Sequence, residues 1–342
     1  MGRVCLAISF ALAVAVWCSS AAAEGPARWP EAWQSPLAAD HPLVGQIWSV
    51  QDRRLVTPAQ LAGAVSAAPL VLLGEVHDNA DHHRIQGWAV GVIAGRGPSG
   101  DARRRPAVVF EQIRTDQQPA LDLFAQLTEG APLLRTAERL LELLEWNKSG
   151  WPTAETYKPL FESAIQSKAA MLPGDPPRAQ IHAVAKSGAG VLEGDERSRL
   201  SLDQRLPAEL QDSLLAEIEA SHCGLMPKSA LVNMADAQRY RDAHLARALA
   251  DAADRYGTAV LVAGNGHIRR DRGVPWHLHG MAPGKPLVSV MLVEVEVGKN
   301  EAAAYAETAS GAEAIADYVV FTPRAERTDP CERMRERAGR KG

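Results

Sequence analysis

Three runs of apolar residues, each stopped by a glycine or a glutamate, constrain this chain more than any other feature. Leu70-Val71-Leu72-Leu73 runs into Gly74, Ala107-Val108-Val109-Phe110 into Glu111, and Ala259-Val260-Leu261-Val262-Ala263 into Gly264. A strand with one face in water alternates apolar and polar residues, so a run without alternation belongs to a strand covered on both faces. Shorter or less pure strand patterns occupy 169–172, 287–297 and 317–322, and residues 82–94, 119–144, 157–168, 178–188, 207–221 and 228–256 carry helical spacing. Strands alternating with helices predict an α/β fold: a mostly parallel sheet flanked by helices, with a smaller helical lobe at about 115–160. The 342 residues, 46% of them apolar, suffice for that core and a lobe.

The α/β domain is expected over residues 69–330. Residues 24–68, rich in Pro, Ala and Trp, read as an irregular lead-in with a short segment near 45–50, and 331–342 as a charged tail. At the start, Arg3, an apolar stretch over 4–17 and Ser19-Ser20-Ala21-Ala22-Ala23 have the form of a secretory signal peptide, with cleavage expected after Ala23 and a periplasmic destination. That stretch is short of the ~20 residues that span a bilayer. Trp17 stands where a lipidation signal at Cys18 takes a small residue, so a lipoprotein is not expected. Cleavage removes Cys5 and Cys18. The remaining pair, Cys223 and Cys331, suggests a disulfide in an oxidising compartment and lacks the paired spacing of a metal site. A net charge of −4, without a basic run interleaved with aromatics, argues against nucleic acid as a partner.

The chemistry collects where strands end. The first strand runs into Gly74-Glu75-Val76-His77-Asp78, the second into Glu111-Gln112, and the fourth into Gly264-Asn265-Gly266-His267. In parallel sheets ligands bind beyond the carboxyl ends of the strands, so parallel strands would bring these groups to one rim. Glu75, His77, Glu111 and His267 could then serve as acid/base catalysts, and Glu75, His77 and His267 as ligands to a divalent metal. A single Glu-x-His after a strand is ordinarily a polar loop; three such endings in one sheet ask for a reason.

Other candidates stay open between two readings. His82 and His83 are either ligand partners at a helix start or polar decoration of a helix capped by Asp81. Gln238 and Asp242 interrupt the apolar stripe of the long helix. They either line the site or sit at the margin of a buried face, with Asp242 paired to Arg84, Arg241 or another base. Trp146, Trp151 and Tyr157 are core aromatics or a lobe over a flat ligand. His277 and His279 would share a face if they lay on a strand, a weak metal hint.

The stretch Leu-Leu-Gly-Glu-Val-His-Asp-Asn-Ala-Asp-His-His-Arg-Ile-Gln at 72–86 resembles the signature of the ChaN-like haem-binding uptake family of the Tiki superfamily. Val-Val-Phe-Glu-Gln at 108–112, the segment 146–157, Ala-Gln-Arg-Tyr-Arg-Asp-Ala at 237–243, Val-Ala-Gly-Asn-Gly-His-Ile-Arg-Arg-Asp at 262–271 and 317–322 support it in order. The resemblance implies a parallel-sheet domain with a smaller helical one, a role in iron uptake, and haem held between two subunits. Partners would be haem, a second copy and an outer-membrane uptake receptor. It also implies a runner-up: a hydrolase of peptide or ester bonds, with or without a divalent metal, built on Gly74, Glu75, His77, Glu111 and His267. Haem iron needs an axial ligand, and Tyr157 is expected to supply it as a phenolate, with His82 or His83 and Lys158 on the propionates and Gln238 and Asp242 lining the cleft. The chain departs from the family pattern at Tyr240, where an aliphatic residue is expected, and at Leu172-Pro173-Gly174, where an Asn is expected before Leu-Pro.

Overall fold

The computed structural model describes residues 28–95, 105–306 and 314–339. The expected signal peptide and its cleavage site lie outside the described residues. The chain enters through a hairpin, β1 (Ile47–Ser49) and β2 (Arg54–Val56), and α1 (Pro58–Ala67). It continues with β3 (Leu70–Leu73), α2 (Ala80–Gly95), β4 (Ala107–Arg114), α3 (Gln118–Glu129), α4 (Ala137–Leu143), α5 (Ala154–Gln166) and β5 (Ala170–Asp175). After α6 (Arg178–Ser187), α7 (Gly194–Arg199), α8 (Ala208–Ser221) and the long α9 (Lys228–Tyr256) come β6 (Ala259–Val262), α10 (Val274–Met281), β7 (Leu287–Glu294), β8 (Tyr318–Thr322) and α11 (Pro330–Gly339). No helix among the described residues is long and apolar enough to cross a membrane.

The lead-in is therefore more ordered than its composition suggests. Its two strands are three residues each, too short for a periodic pattern, and α1 is signalled only by its cap. Thr57 accepts from the Gln60 amide while the Gln60 side chain accepts from the Thr57 amide, with Pro58 at the first helical position. The predicted helix over 119–144 is two helices, interrupted at Gly130-Ala131-Pro132. The charged tail is α11, and Cys331 within it is bonded to Cys223 in the turn after α8.

The eight strands form one sheet in the order β2-β1-β8-β7-β3-β6-β4-β5. β3 to β8 run parallel to one another; β1 pairs antiparallel with both β2 and β8. The apolar runs are explained by what lies on each face. Val71, Leu73, Val108, Phe110, Val260 and Val262 pack against α1, α2 and α5 through Leu61, Ile85, Trp88, Leu160 and Phe161. Leu70, Leu72, Val109 and Leu261 face α9 and α10 through Leu245, Leu249, Val274 and Leu278. Each fully buried Leu, Ile or Phe contributes about 1.5–3 kcal/mol relative to exposure, a large fraction of the ~5–15 kcal/mol by which a domain is stable.

The register positions the chemistry. Leu73 pairs with Val262, and Val262 with Phe110. The residues that follow, Gly74-Glu75, Ala263-Gly264 and Glu111, therefore emerge level with one another at one edge of the sheet.

Candidate functional site

Two carboxylate–imidazole assemblies occupy that edge. In the first, Glu75 is buried at the end of β3. Its Oε1 accepts from His77 Nδ1 (2.7 Å), the Tyr157 hydroxyl (2.7 Å) and Gln112 Nε2 (2.9 Å), and its Oε2 from Gln86 Nε2 (2.9 Å). Burial opposes a charge on Glu75. The positive field of His83 and the hydrogen bonds from His77 and Tyr157 outweigh it and lower its pKa to about 2. An ionised carboxylate only accepts, so His77 carries its proton on Nδ1, while its Nε2 lies beside Gly264. No hydrogen bond among the described residues engages that Nε2. The His77 ring is half-buried, with the edge of Trp151 at 4.8 Å between ring centres, and the Trp151 indole donates to the Gln112 carbonyl. Burial works against protonation of His77, yet the bond to Glu75 and the charge of Glu111 raise its pKa.

In the second assembly His267 is enclosed. Its Nδ1 lies 2.6 Å from Asp242 Oδ1 and its Nε2 3.2 Å from Glu111 Oε1. The charges of Glu111 and Asp242 overcome the burial that disfavours an imidazolium and raise its pKa to about 10. Glu111 also accepts from Arg241 Nη2 (2.6 Å) and from the Gly264 amide (2.7 Å), and Arg241 grips Asp175 at the end of β5 through Nε (2.8 Å) and Nη2 (3.0 Å). Desolvation alone would raise the Glu111 pKa, but His267 and Arg241 hold it well below the ordinary carboxylate range. Gly264 separates the two assemblies: a Cβ there would stand 2.9 Å from His77 Cε1, so only glycine lets the ring and the strand end approach.

Several expected roles change once the residues are placed. Tyr157 is fully buried beneath Glu75, which its hydroxyl faces. Burial and the negative charge of Glu75 push its pKa well above that of a free phenol, so this position disfavours the phenolate an axial ligand would need. His82 is also fully buried: its Nδ1 accepts from the Val76 amide and its Nε2 faces Thr322 Oγ1, and burial lowers its pKa to about 3. His83 is fully buried between the Gln86 side chain and the His77 carbonyl. Lys158 points away from Tyr157's side of α5 and pairs with Glu138 at 2.5 Å. His82 and His83 are therefore enclosed away from any ligand at the surface.

The metal triad is likewise corrected. Glu75 and His267 commit their donor atoms to neighbours, and no group of three His, Cys, Asp or Glu among the described residues is arranged to hold a metal ion. Asp242 pairs with His267 rather than Arg84 or Arg241, and Gln238 places its amide 3.1 Å from the same imidazole. Asn79, not Asp81, caps α2, accepting from the Asp81 amide. Asp81 instead anchors the lead-in by accepting from the amides of Gln34 and Ser35. His277 and His279 lie on α10, one buried and one exposed, so they share no site. Tyr240 packs with Val184 and Leu202, away from this edge.

Arg241 and Asp175 are the site residues that sequence reasoning left unassigned. The signal was available: Asp175 ends β5 as Glu111 follows the apolar run of β4, and Arg241 lies three residues after Gln238 on a helix already aimed at the strand ends.

The fold and edge thus define a class: a parallel α/β domain presenting paired carboxylates and histidines beyond its strands. The sequence profile described as "Haem-binding uptake, Tiki superfamily, ChaN" matches residues 61–278, and the chain belongs to that family. Among solved structures it is similar to ChaN of Campylobacter jejuni, described with cofacial haem binding, at 22% identity and a TM-score of 0.60 over 80% of this chain and 95% of that one. Weaker likenesses are the type III effector HopBA1, with 12% identity, a TM-score of 0.40 and 77% and 91% of the two chains covered, and a mutant of the erythromycin esterase EreC, with 13%, 0.35, 75% and 81%. No curated protein matches the sequence.

Proposed function

We propose that this chain is an exported haem-binding protein of iron uptake, carrying haem between two copies at the His77 side of the strand-end rim. One observation carries the reading: His77 presents a free Nε2 on a half-buried ring whose Nδ1 is fixed by Glu75. A carboxylate behind an imidazole sets the tautomer and strengthens the ring as a ligand to iron. Trp151 offers an apolar edge beside it, and α3 leaves β4 at the same end carrying exposed Leu123 and Leu127 on one face, with Leu133 and Leu134 beyond. An exposed apolar surface there suits a flat cofactor and a second copy better than it suits water. When bound, haem would supply the iron that is the cargo; the protein's part is to ligate, orient and cover it.

The same dyad supports hydrolysis of an ester or peptide bond as a second reading, since an imidazole with Nδ1 held by a carboxylate is oriented to act as a general base. Haem titration of purified protein with metal analysis on the same preparation separates the two. A Soret band that is lost in His77→Ala, with sedimentation showing a dimer only when haem is present, is the expected result. Unchanged haem spectra in His77→Ala would remove His77 from the role. Indifference to haem, together with His77-dependent hydrolysis of a nitrophenyl ester, would transfer the site to the enzyme reading.

A further inference from the structure

Tyr240, where the chain departs from the family pattern, anchors a second polar region on α9. Its ring is buried among Val184, Leu192, Leu200 and Leu202, and its hydroxyl lies 2.9 Å from Gln180 Oε1 and 3.0 Å from Glu196 Oε1. It thereby ties α6 and α7 to α9. One turn earlier on α9, Asp236 accepts from the Ala189 amide at 3.0 Å, and Asn233 donates to the Lys186 carbonyl at 2.9 Å. Gly188 turns beside them with a φ of +79°, and a Cβ there would stand 3.2 Å from both Asp236 Oδ2 and Asn233 Oδ1. The turn after α6 is thus fixed against α9 and needs its glycine.

A cavity of about 300 Å³ lies on this frame, and Arg197, Arg205 and Arg239 line it beside Asp203 and Asp236. Its charges are poorly matched. Arg239 is half-buried; Nη2 donates to the Gln204 carbonyl, and the buried Nε has no partner. No carboxylate lies within 4.0 Å of Arg239 among the described residues, and burial pushes its pKa down although Asp236 and Asp242 act to raise it. Arg205 is exposed and makes no ion pair or hydrogen bond among the described residues. Arg197 donates to the Leu192 carbonyl at 2.7 Å and stands 3.6 Å from the exposed Asp203. Asp236 is spent on the Ala189 amide. A cation drawn partly out of water is unfavourable unless an anion accepts from it. A carboxylate matches one guanidinium fork with two oxygens, whereas a phosphate group offers three acceptor oxygens to several guanidinium groups at once.

We infer that this cavity binds the phosphate group of a small molecule, with Arg205 and Arg239 as its principal contacts. A volume of about 300 Å³ falls at the lower end of the range for small-ligand sites. Arg239 also borders a smaller cavity with Gln238, Asp242 and His277, which sets the phosphate site next to the His267 assembly but outside it. The cavity shares no residue with either strand-end assembly, so the site stands whether or not haem binds at the rim.

Calorimetric titration at constant ionic strength tests it, with glycerol phosphate, inorganic phosphate and succinate as probes. The proteins compared are wild type, Arg205→Glu, Arg239→Gln and, on the distant hairpin strand β2, Arg54→Glu. Wild type should bind at least one phosphate probe about tenfold or more tightly than succinate, the range of one further charge-assisted contact. A tighter ester names a phosphorylated small molecule as the source and equal affinities name free phosphate; both uphold the site. Arg205→Glu and Arg239→Gln should each weaken phosphate binding about tenfold or more, and Arg54→Glu, with the same change of net charge as Arg205→Glu, should leave it intact. Arg205 is exposed, so its replacement should not move the unfolding midpoint without ligand, which separates a lost contact from a lost fold. No heat from either phosphate in wild type, succinate bound as tightly as phosphate, undiminished binding in Arg205→Glu, or an equal loss in Arg54→Glu overturns the assignment.

Discussion

His77 and His267 stand beyond the ends of adjacent strands in one sheet, each beside a buried glutamate, and they have opposite fates. His267 is 4% exposed and meets carboxylate at both nitrogens. His77 is half-exposed and meets carboxylate at one. The first is an ionic strut: the imidazolium and Arg241 bridge Glu111, Asp242 and Asp175 and close the sheet end. The second is fixed behind by Glu75 and half-exposed on its other side. Residue type does not separate them. What separates them is the number of negative oxygens within reach and the helix above, since α9 brings Asp242 and Arg241 over His267, whereas His77 has Trp151 at its side.

The contrast breaks most directly at Glu111. Removing it as Glu111→Ala leaves Arg241 and His267 facing each other without the shared anion and the Gly264 amide without its acceptor. Loss of one member of a buried ion pair costs about 3–5 kcal/mol. Urea unfolding of the variant should show its midpoint displaced by that amount at unchanged slope. A loss under about 1 kcal/mol, the value typical of an exposed pair, would mean that the second assembly is no strut.

Most of the sheet and the shared rim were legible because a parallel strand buried on both faces writes itself as an unbroken apolar run, and parallel strands end on one side. Leu70–Leu73, Ala107–Phe110 and Ala259–Val262 carried that signal without ambiguity. The antiparallel hairpin did not, since Ile47–Ser49 and Arg54–Val56 are shorter than one period of any pattern. Within the site, helical spacing leaves Gln238 and Asp242 open between lining the strand-end cleft and sitting at the margin of a buried face. It could not say that Arg241 would reach Glu111, because that depends on a side-chain path between elements 130 residues apart. Depth was the least legible property. Tyr157 and His83 have the composition of a ligand set, and only the packing of α2 on α5 shows that they lie under Glu75 rather than beside a cofactor. His277 and His279 would share a face only on a strand, and Pro275, at a helix's first turn, marks the start of α10 instead.

The strut also has a pH signature. His267 binds its proton far more tightly folded, with a pKa of about 10, than an unfolded histidine near 6.5. Its contribution is therefore complete below about pH 6.5 and falls as the pH rises towards 10, because over that interval the folded state holds a proton the unfolded state has released. In wild type, stability measured by urea unfolding should decline between pH 7 and 10 by an amount of the order of a few kcal/mol. In His267→Gln that decline should be largely absent, with lysines and tyrosines titrating alike in both proteins. Parallel curves for the two would show that the imidazolium is not what the carboxylates hold.

The smallest effect is the most discriminating, because it sets the two assignments of one tyrosine against each other. Tyr157→Phe keeps the ring that packs against His83 and Trp146 and deletes only the hydroxyl on Glu75. Hydrogen bonds to a charged group are worth about 1.5–3 kcal/mol, and His77, Gln86 and Gln112 still satisfy the carboxylate, so a loss near the low end, about 1.5 kcal/mol, is expected. Haem affinity and the Soret maximum should stay as in wild type, since a phenol held under a carboxylate ligates nothing. Were Tyr157→Phe to lose the haem band while His77→Ala kept it, the tyrosine would have to leave its buried place to reach the iron. The open histidine and the closed one would then no longer mark where this protein works and where it is merely held together.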